Sequence, residues 1–155
     1  MKVVIVGGVA GGASAAARLR RLDENAEIIL LERGAYISFA NCGLPYYVGG
    51  AITKKSALTL QTPESFRTRF GIDVRVNSEV TAVHPAEKTV EVRTADGTYT
   101  ESYDKLILSP GAEPVQPPLP GLPNGRVFPL RTIPAAVRLR DYVDEEFPDS
   151  AVVIG

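Results

Sequence analysis

The feature that most constrains the fold is a strand, a glycine-rich turn and a helix that follow one another at the start of the chain. Residues 3–6 form a short β-branched apolar run, which predicts a buried strand. Glycines crowd residues 7–12, and the alanine-rich residues 13–22 favour a helix. A turn of this kind points backbone N–H groups and a helix N-terminus at one place, where they favour an anion. The sequence therefore predicts a phosphate-binding turn in an α/β domain.

An acidic residue follows at the distance that a dinucleotide-binding fold requires. A second apolar run ends in Glu32, twenty residues after Gly12. Glu32 there accepts hydrogen bonds from a ribose diol and repels a 2′-phosphate, which favours FAD or NAD over NADP. Read as G-x-G-x-x-G, the turn has Val9 at the middle glycine position, so Gly8 and Gly11 are candidates to make room for a pyrophosphate. The alternative is a glycine-rich turn in an ordinary α/β domain.

Length and charge narrow the class of protein. The chain has 155 residues, enough for one domain, and its net charge of -1 gives no reason to expect nucleic acid or an anionic membrane as partner. No apolar run is long enough to span a bilayer, and we expect no metal site. Cys42 is the sole cysteine, which excludes an intrachain disulfide and suits a reducing, cytoplasmic compartment.

The middle of the chain changes from helical to strand patterns. Thr62 and Pro63 predict a helix start, and Gly71 predicts its end. Four short runs then predict a small antiparallel β-meander, and a buried run returns to the parallel sheet. The runs are residues 72–76, 80–84, 89–93 and 98–102, followed by 105–108. The predicted fold is α/β, a Rossmann-like FAD-binding domain with a parallel sheet and an inserted small antiparallel β-meander.

The last third of the chain predicts a domain boundary. Residues 113–126 are rich in proline and glycine and predict a connector. A strand at 127–130 and a helix at 134–147 are predicted after it, and the apolar residues 151–155 repeat the start of the chain. We therefore expect a first part of an FAD-binding domain at 1–112 and the start of an NAD(P)H-binding domain at 127–155, in a piece of a longer protein.

Cys42 is the candidate for redox chemistry. It comes ten residues after Glu32, so it can approach the reactive end of an extended dinucleotide. Residues 43–48 predict a helix with Cys42 at its N-terminus, where the dipole favours the nucleophilic thiolate. A structural core thiol is the alternative, but the polar neighbours Ser38 and Asn41 favour a redox thiol.

One face of the first helix is polar. Ser14, Arg18 and Arg21 fall at i, i+4 and i+7, whereas Leu19 and Leu22 lie on a face suited to packing. A hydroxyl and two guanidinium groups in a row suit the binding of phosphates. The alternative is a solvated basic helix face.

Three motifs together resemble one family. They are Val-Gly-Gly-Val-Ala-Gly-Gly at 6–12, Ser-Phe-Ala-Asn-Cys-Gly-Leu-Pro-Tyr at 38–46 and Tyr-Asp-Lys-Leu-Ile-Leu-Ser-Pro-Gly-Ala at 103–112. The chain resembles, over its whole length, the single-cysteine branch of the FAD-dependent pyridine nucleotide–disulfide oxidoreductases. This branch contains coenzyme A-disulfide reductases, persulfide reductases and NADH oxidases, and it also uses Val at the second glycine position.

The resemblance implies cofactors, substrates and residue roles. FAD would sit on the first glycine loop, and NAD(P)H would bind a second domain whose site lies mostly beyond this chain. Cys42 would reduce a coenzyme A disulfide or persulfide, or oxygen or peroxide through a sulfenic acid. The implied FAD contacts are Gly7, Gly8, Gly11, Gly12, Glu32, Arg33, Val80, Ser109, Gly111 and Arg131. The implied coenzyme A contacts are Ser14, Arg18, Arg21, Ser38 and Asn41. A homodimer is implied for the full-length enzyme, and this piece alone would be inactive. A nucleotide-binding sensor module with a passive cysteine is the alternative of another class.

Overall fold

The computed structural model describes residues 1–118, 120–122 and 125–154, in two compact units. The first unit contains Met1–Phe39 and Thr59–Ala112; the second contains Ala40–Leu58 and the described residues from Glu113 onward. The strands are β1 (Lys2–Val6), β2 (Glu27–Leu31), β3 (Asp73–Arg75), β4 (Glu79–His84), β5 (Thr89–Thr94), β6 (Gly97–Ser102) and β7 (Lys105–Leu108). The helices are α1 (Ala10–Leu22), α2 (Leu44–Val48), α3 (Pro63–Phe70) and α4 (Ile133–Glu146).

The first unit is built on a four-stranded parallel sheet in the order β3-β2-β1-β7. Side chains on a strand alternate between the two faces of a sheet. Val3 and Ile5 accordingly pack with α1, while Val4 packs with Val90 and Val92 of β5. The α/β fold with a parallel sheet and a small antiparallel sheet is therefore confirmed.

The antiparallel meander has three strands, in the order β4-β5-β6, and not four. The run at 72–76, predicted to belong to it, instead forms β3 and pairs parallel with β2, Leu30 lying beside Val74. The alternation of apolar and polar residues in a short strand shows that one face is buried, but it does not identify the strand with which it pairs. The prediction that this run belongs to the meander was wrong.

A group of charged residues joins the meander to the parallel sheet. Glu101 of β6 accepts hydrogen bonds at 2.5 Å from Lys2 of β1 and from Arg75 of β3. Arg75 also donates to the hydroxyl of Tyr99 at 3.1 Å and to Asp73 at 2.8 Å. Burial opposes the charge on Glu101, but the bonds from Lys2 and Arg75 outweigh it and hold the pKa of this carboxyl below its usual value.

Helix α1 begins three residues earlier than predicted, at Ala10, and so includes Gly11 and Gly12. Leu19 packs against the core as predicted, but Leu22 is 67% exposed, so its predicted packing role was wrong. Arg20 anchors this end of the helix instead. Its guanidinium donates to the carbonyl oxygens of residues 23, 24, 70 and 71, which joins the end of α1 to the end of α3.

Helix α3 confirms the predicted start and end signals. The Thr62 side chain accepts from the backbone of Ser65, and the Ser65 hydroxyl accepts from the backbone of Thr62, which forms a capping box. Pro63 is the first helical residue, and Gly71 ends the helix in the left-handed conformation with φ +58. A residue with a side chain is strained there, so glycine suits the position.

The second unit is built on α2 and α4. Helix α4 confirms the helix predicted at 134–147, and Thr132 caps it by accepting from the backbone N–H of Ala135. Residues 127–130 and 151–154 form no strand, which contradicts both strand predictions. Short apolar runs form strands only where a neighbouring strand accepts their backbone hydrogen bonds. The predicted connector and the final strand–turn include Leu119, Pro123, Asn124 and Gly155, which lie outside the described residues.

Candidate functional site

Three chain segments of the first unit meet at the carboxyl edge of the parallel sheet. Gly7 follows β1, Glu32 follows β2 and Ser109 follows β7. The Gly7 N–H donates to the carbonyl of Leu31 at 2.8 Å, and the Ser109 N–H donates to the carbonyl of Val6 at 2.8 Å. Ligands of doubly wound sheets bind at such an edge.

Two of the glycines are required by close approach of the main chain. A Cβ atom at Gly7 would lie 2.0 Å from the carbonyl oxygen of Ser109, and Gly7 also has φ +94. A Cβ atom at Gly12 would lie 1.8 Å from the carbonyl oxygen of Gly7. Neither position tolerates a side chain without movement of the backbone. The turn and the first residues of α1 therefore form one tightly packed unit.

The other two glycines are packed less tightly against backbone. A Cβ atom at Gly8 would meet the side chains of Ile37 and Leu30 at 2.7 and 2.9 Å. A Cβ atom at Gly11 would lie 3.1 Å from the hydroxyl oxygen of Ser109 and 3.4 Å from the Cβ atom of Ser109. Gly11 is exposed. Val9 occupies the position of the middle glycine, but the exposed Gly11 leaves room for a pyrophosphate to approach the backbone of the turn.

The Glu32 carboxylate holds two segments of this site together. One carboxylate oxygen accepts from the Gly8 N–H at 2.7 Å and the other from the Gly34 N–H at 2.7 Å. Each ionised carboxylate oxygen has a second lone pair, so both remain able to accept from ribose hydroxyls. Glycines at the helix start and this oriented carboxylate fit the pyrophosphate and the adenosine ribose of a dinucleotide.

The remaining predicted FAD contacts are divided between the two units. Arg33 is exposed directly after Glu32, and Val80 lies half-buried on β4. Gly111 has φ +73 in the loop after β7. Arg131 lies in the second unit, next to the residue that caps α4. Arg33, Val80, Gly111 and Arg131 stay predictions as cofactor contacts.

A groove of about 330 Å³ runs beside α1 in the first unit. Ser14 and Ser38, both predicted as coenzyme A contacts, are among its lining residues, so the structure brings them together. Ser38 has φ +44 and is held by its N–H bond to the Gly8 carbonyl at 2.8 Å. The groove therefore begins at the glycine turn and is polar at Ser14 and Ser38.

Sequence reasoning missed the aromatic part of this groove. Phe39, Phe66 and Phe70 line it, and the rings of Phe66 and Phe70 pack edge to face with centroids 5.4 Å apart. Their i, i+4 spacing on α3 was the available signal, because such a pair lies on one face of a helix. Aromatic walls favour a ligand with a planar or apolar part.

The predicted basic face of α1 is present. Ser14, Arg18 and Arg21 are all exposed on this helix, and Ser14 lines the groove. Arg18 and Arg21 are not among the residues that line the groove, but their positive charge on the same helix can attract an anionic ligand.

The cysteine lies in the second unit, in a 3-10 turn at Asn41–Gly43 that runs directly into α2. The predicted helix at 43–48 is thus shorter, and Cys42 lies in the turn before it. Cys42 is exposed, so the structure contradicts a buried core thiol. The side-chain oxygen of Asn41 is buried and has no hydrogen-bond partner among the residues that the structure describes. Asn41 is partly buried and shares the second unit with Cys42, whereas Ser14 and Ser38 belong to the first.

The described ranges contain no group of three or more His, Cys, Asp and Glu side chains able to hold a metal ion. Nor does any helix within them have the length and apolar character needed to cross a membrane.

The whole chain, residues 1–155, matches the family described as pyridine nucleotide-disulphide oxidoreductase. It is 36% identical to the coenzyme A disulfide reductase of Staphylococcus haemolyticus, over 99% of this chain and 35% of that protein. The reduced Bacillus anthracis CoADR-RHD has 54% identity and a TM-score of 0.92, over 95% of this chain and 27% of that one. The NAD-dependent persulfide reductase from A. fulgidus has 33% identity and a TM-score of 0.90, over 94% of this chain and 28% of that one. This chain thus spans about a third of the length of its curated relatives, and it belongs to the pyridine nucleotide-disulphide oxidoreductase family.

Proposed function

We propose that the protein containing this chain is an FAD-dependent NAD(P)H oxidoreductase that reduces a coenzyme A disulfide or a persulfide through Cys42. The observation that carries this proposal is the exposed thiol of Cys42, the sole cysteine of a chain whose family is named for disulfide chemistry. The glycine turn and Glu32 would hold FAD, which when bound would relay an electron pair from NAD(P)H to sulfur. The proposed domain boundaries are those predicted from the sequence. Residues 1–112 belong to the FAD-binding domain, 113–126 form the connector, and 127–155 begin the NAD(P)H-binding domain.

The thiol step follows from ordinary thiol–disulfide exchange. The Cys42 thiolate attacks one sulfur of the disulfide, forms a mixed disulfide with one coenzyme A and releases the other as a thiolate. Two electrons then break the mixed disulfide and return the Cys42 thiolate, and the second coenzyme A leaves as a thiolate that takes a proton from solvent. An exposed cysteine suits this exchange, since the sulfur must be reached in line with the disulfide.

Coenzyme A is favoured as substrate by the groove beside α1. Its phosphates match the exposed guanidinium groups of Arg18 and Arg21, and the hydroxyls of Ser14 and Ser38 can bind along its length. Asn41 offers a buried acceptor one residue before the thiol. An enzyme that reduces only oxygen has no need of such a groove.

The same lone thiol also supports a second acceptor. A thiolate that attacks hydrogen peroxide becomes a sulfenic acid and releases hydroxide, and this needs no second cysteine. An NADH oxidase or peroxidase therefore stands as the alternative enzyme, and a nucleotide sensor with a passive cysteine as the alternative of another class. The dimer predicted for the full-length protein stays a proposal.

The test compares wild type and Cys42→Ser in the full-length protein. We expect both to retain bound flavin, and only the wild type to reduce coenzyme A disulfide and to react with iodoacetamide at residue 42. Persulfide, peroxide and oxygen are assayed in parallel to identify the acceptor. A Cys42→Ser enzyme that reduces coenzyme A disulfide at the wild-type rate would refute the proposal, and NAD binding without flavin would favour the sensor.

A further inference from the structure

Helix α2 carries the cysteine turn but has little stability of its own. It contains five residues, and an isolated helix shorter than about 12 residues is marginal in water. Its last carbonyl groups also lack partners within the helix. The position of Cys42, at the other end of α2, therefore depends on what α2 packs against.

Arg140 of α4 supplies the contact at the C-terminal end of α2. Its guanidinium donates to the carbonyl oxygen of Tyr47 at 2.6 Å, and its Cζ lies 5.5 Å from the centroid of the Tyr47 ring. The Gly50 N–H donates to the same carbonyl at 3.2 Å. The Tyr47 side chain is buried between these partners and the rest of the unit. Arg140 thus gives this terminal carbonyl a second and shorter hydrogen bond and covers the ring beside it.

Asp144 fixes the direction of this arginine. It lies one turn further along α4 and accepts from Nε of Arg140 at 2.8 Å. That bond leaves the other side of the planar guanidinium free to face Tyr47. Asp144 thus orients the Arg140 side chain toward α2.

The cysteine turn and α2 are packed together. The Leu44 N–H donates to the carbonyl of Asn41, and Leu44 is 1% exposed. A Cβ atom at Gly43 would meet Leu58 at 3.2 Å and Ile52 at 3.4 Å, so no space remains beside the turn. Release of one end of α2 is therefore transmitted to the other end.

We propose that Arg140 is a positioning residue for the redox cysteine: it holds the C-terminal end of α2 and so sets the direction of the Cys42 thiol. The inference rests on the proposed function, because it assigns Arg140 a part in the thiol chemistry. In this proposal Arg140 acts through Tyr47 and α2 and not by contact with the substrate. Its effect is on the orientation of the sulfur and not on substrate affinity.

The experiment compares Arg140→Ala with Arg138→Ala in the full-length enzyme. Arg138 lies on the same helix and is exposed, which makes it a matched loss of one positive charge. We expect Arg140→Ala to lower kcat for coenzyme A disulfide by about tenfold with KM values unchanged, since misplacement of a reacting group affects the chemical step. Hydrogen exchange of the amides at 44–50 should become faster by about tenfold in the same variant. Arg138→Ala should change each quantity by less than about twofold.

A conservative variant separates positioning from general stability. Arg140→Lys keeps a donor for the Tyr47 carbonyl but loses the planar group over the ring, so its kcat should lie between those of wild type and Arg140→Ala. Unchanged kcat and exchange in Arg140→Ala overturn the inference. If Arg140→Ala does not fold, Arg140→Lys decides: a lowered kcat at constant KM supports the inference, and a wild-type kcat overturns it. Hydrogen exchange does not depend on the reaction, so a failure of the Cys42 proposal remains distinguishable.

Discussion

Gly12→Ala should destabilise the domain although alanine favours helices. Gly12 lies in the first turn of α1, where alanine in place of glycine normally stabilises by about 1 kcal/mol. The new Cβ, however, would lie 1.8 Å from the Gly7 oxygen and 3.0 Å from its carbonyl carbon, where 3.4 Å is an ordinary contact. The Gly7 backbone must therefore move by about 1.5 Å, against its own hydrogen bond to Leu31.

The clash should outweigh the helix preference. Overpacking costs typically 1–3 kcal/mol, and here the obstacle is main chain that cannot rotate away, so we expect a clash cost of about 3 kcal/mol. The helix preference for alanine offsets about 1 kcal/mol of it, which leaves a net loss of about 2 kcal/mol. For a domain of this size that corresponds to a melting temperature lower by about 4–8 °C. Thermal unfolding of the full-length protein, followed by circular dichroism, measures it, and bound flavin should fall as well.

Gly11→Ala is the matched control. Its Cβ would meet the hydroxyl of Ser109 at 3.1 Å and the Ser109 Cβ at 3.4 Å, and the hydroxyl can rotate. Its unfolding free energy should stay within about 1 kcal/mol of wild type. Equal melting temperatures for Gly12→Ala and Gly11→Ala would contradict the argument from the Gly7 oxygen.

Three further changes test other parts of the structure. Glu101→Gln should lower the unfolding free energy by roughly 1–2 kcal/mol at pH 7, because Lys2 and Arg75 lose their charged acceptor while each keeps part of its side chain exposed. This stabilisation is complete above about pH 4.3 and is lost as the pH falls through the lowered pKa of the folded carboxyl, so urea titrations of the two proteins should converge in acid. Thr62→Ala should cost about 1 kcal/mol in urea unfolding, because the capping box at α3 is lost. Arg18→Ala should raise KM for coenzyme A disulfide by about tenfold in steady-state assays, with KM for the nicotinamide nucleotide unchanged; equal KM values would exclude a phosphate contact there.

The sequence predicts best those elements whose signal lies in one continuous stretch of residues. The strands at β1 and β7, and the Thr62 cap of α3, need only local information. The predicted burial of β7 was wrong, because Leu106 and Ile107 are half-buried and Leu108 is 59% exposed. The start of α1 was placed too late, because glycine is a poor helix former and marks a turn in sequence, while packing of Gly12 against Gly7 brings it into the helix.

Pairing partners and side-chain anchors were beyond local reasoning. The residues around Asp73 do not indicate whether β3 pairs with β2 or with the meander. The pairing depends on how the chain arrives from α3. Arg20 and Arg140 look like ordinary surface arginines, but they bind carbonyl groups 50 and 93 residues away. The glycines and Glu32 follow a known local spacing, whereas the aromatic wall of the groove combines α3 with Phe39 from another segment.

The distance along the chain between Arg140 and Tyr47 also has a consequence for synthesis. The two residues are 93 positions apart, and α2 is too short to persist alone. At a translation rate of about 5–20 residues per second, the Cys42 thiol spends roughly 5–20 s on the ribosome before its helix can be anchored. We expect nascent chains arrested before Arg140 emerges to expose backbone amides at 44–50 to rapid exchange, and chains arrested well after it to protect them. Equal protection at both arrest points would show that the helix is anchored by segments made earlier.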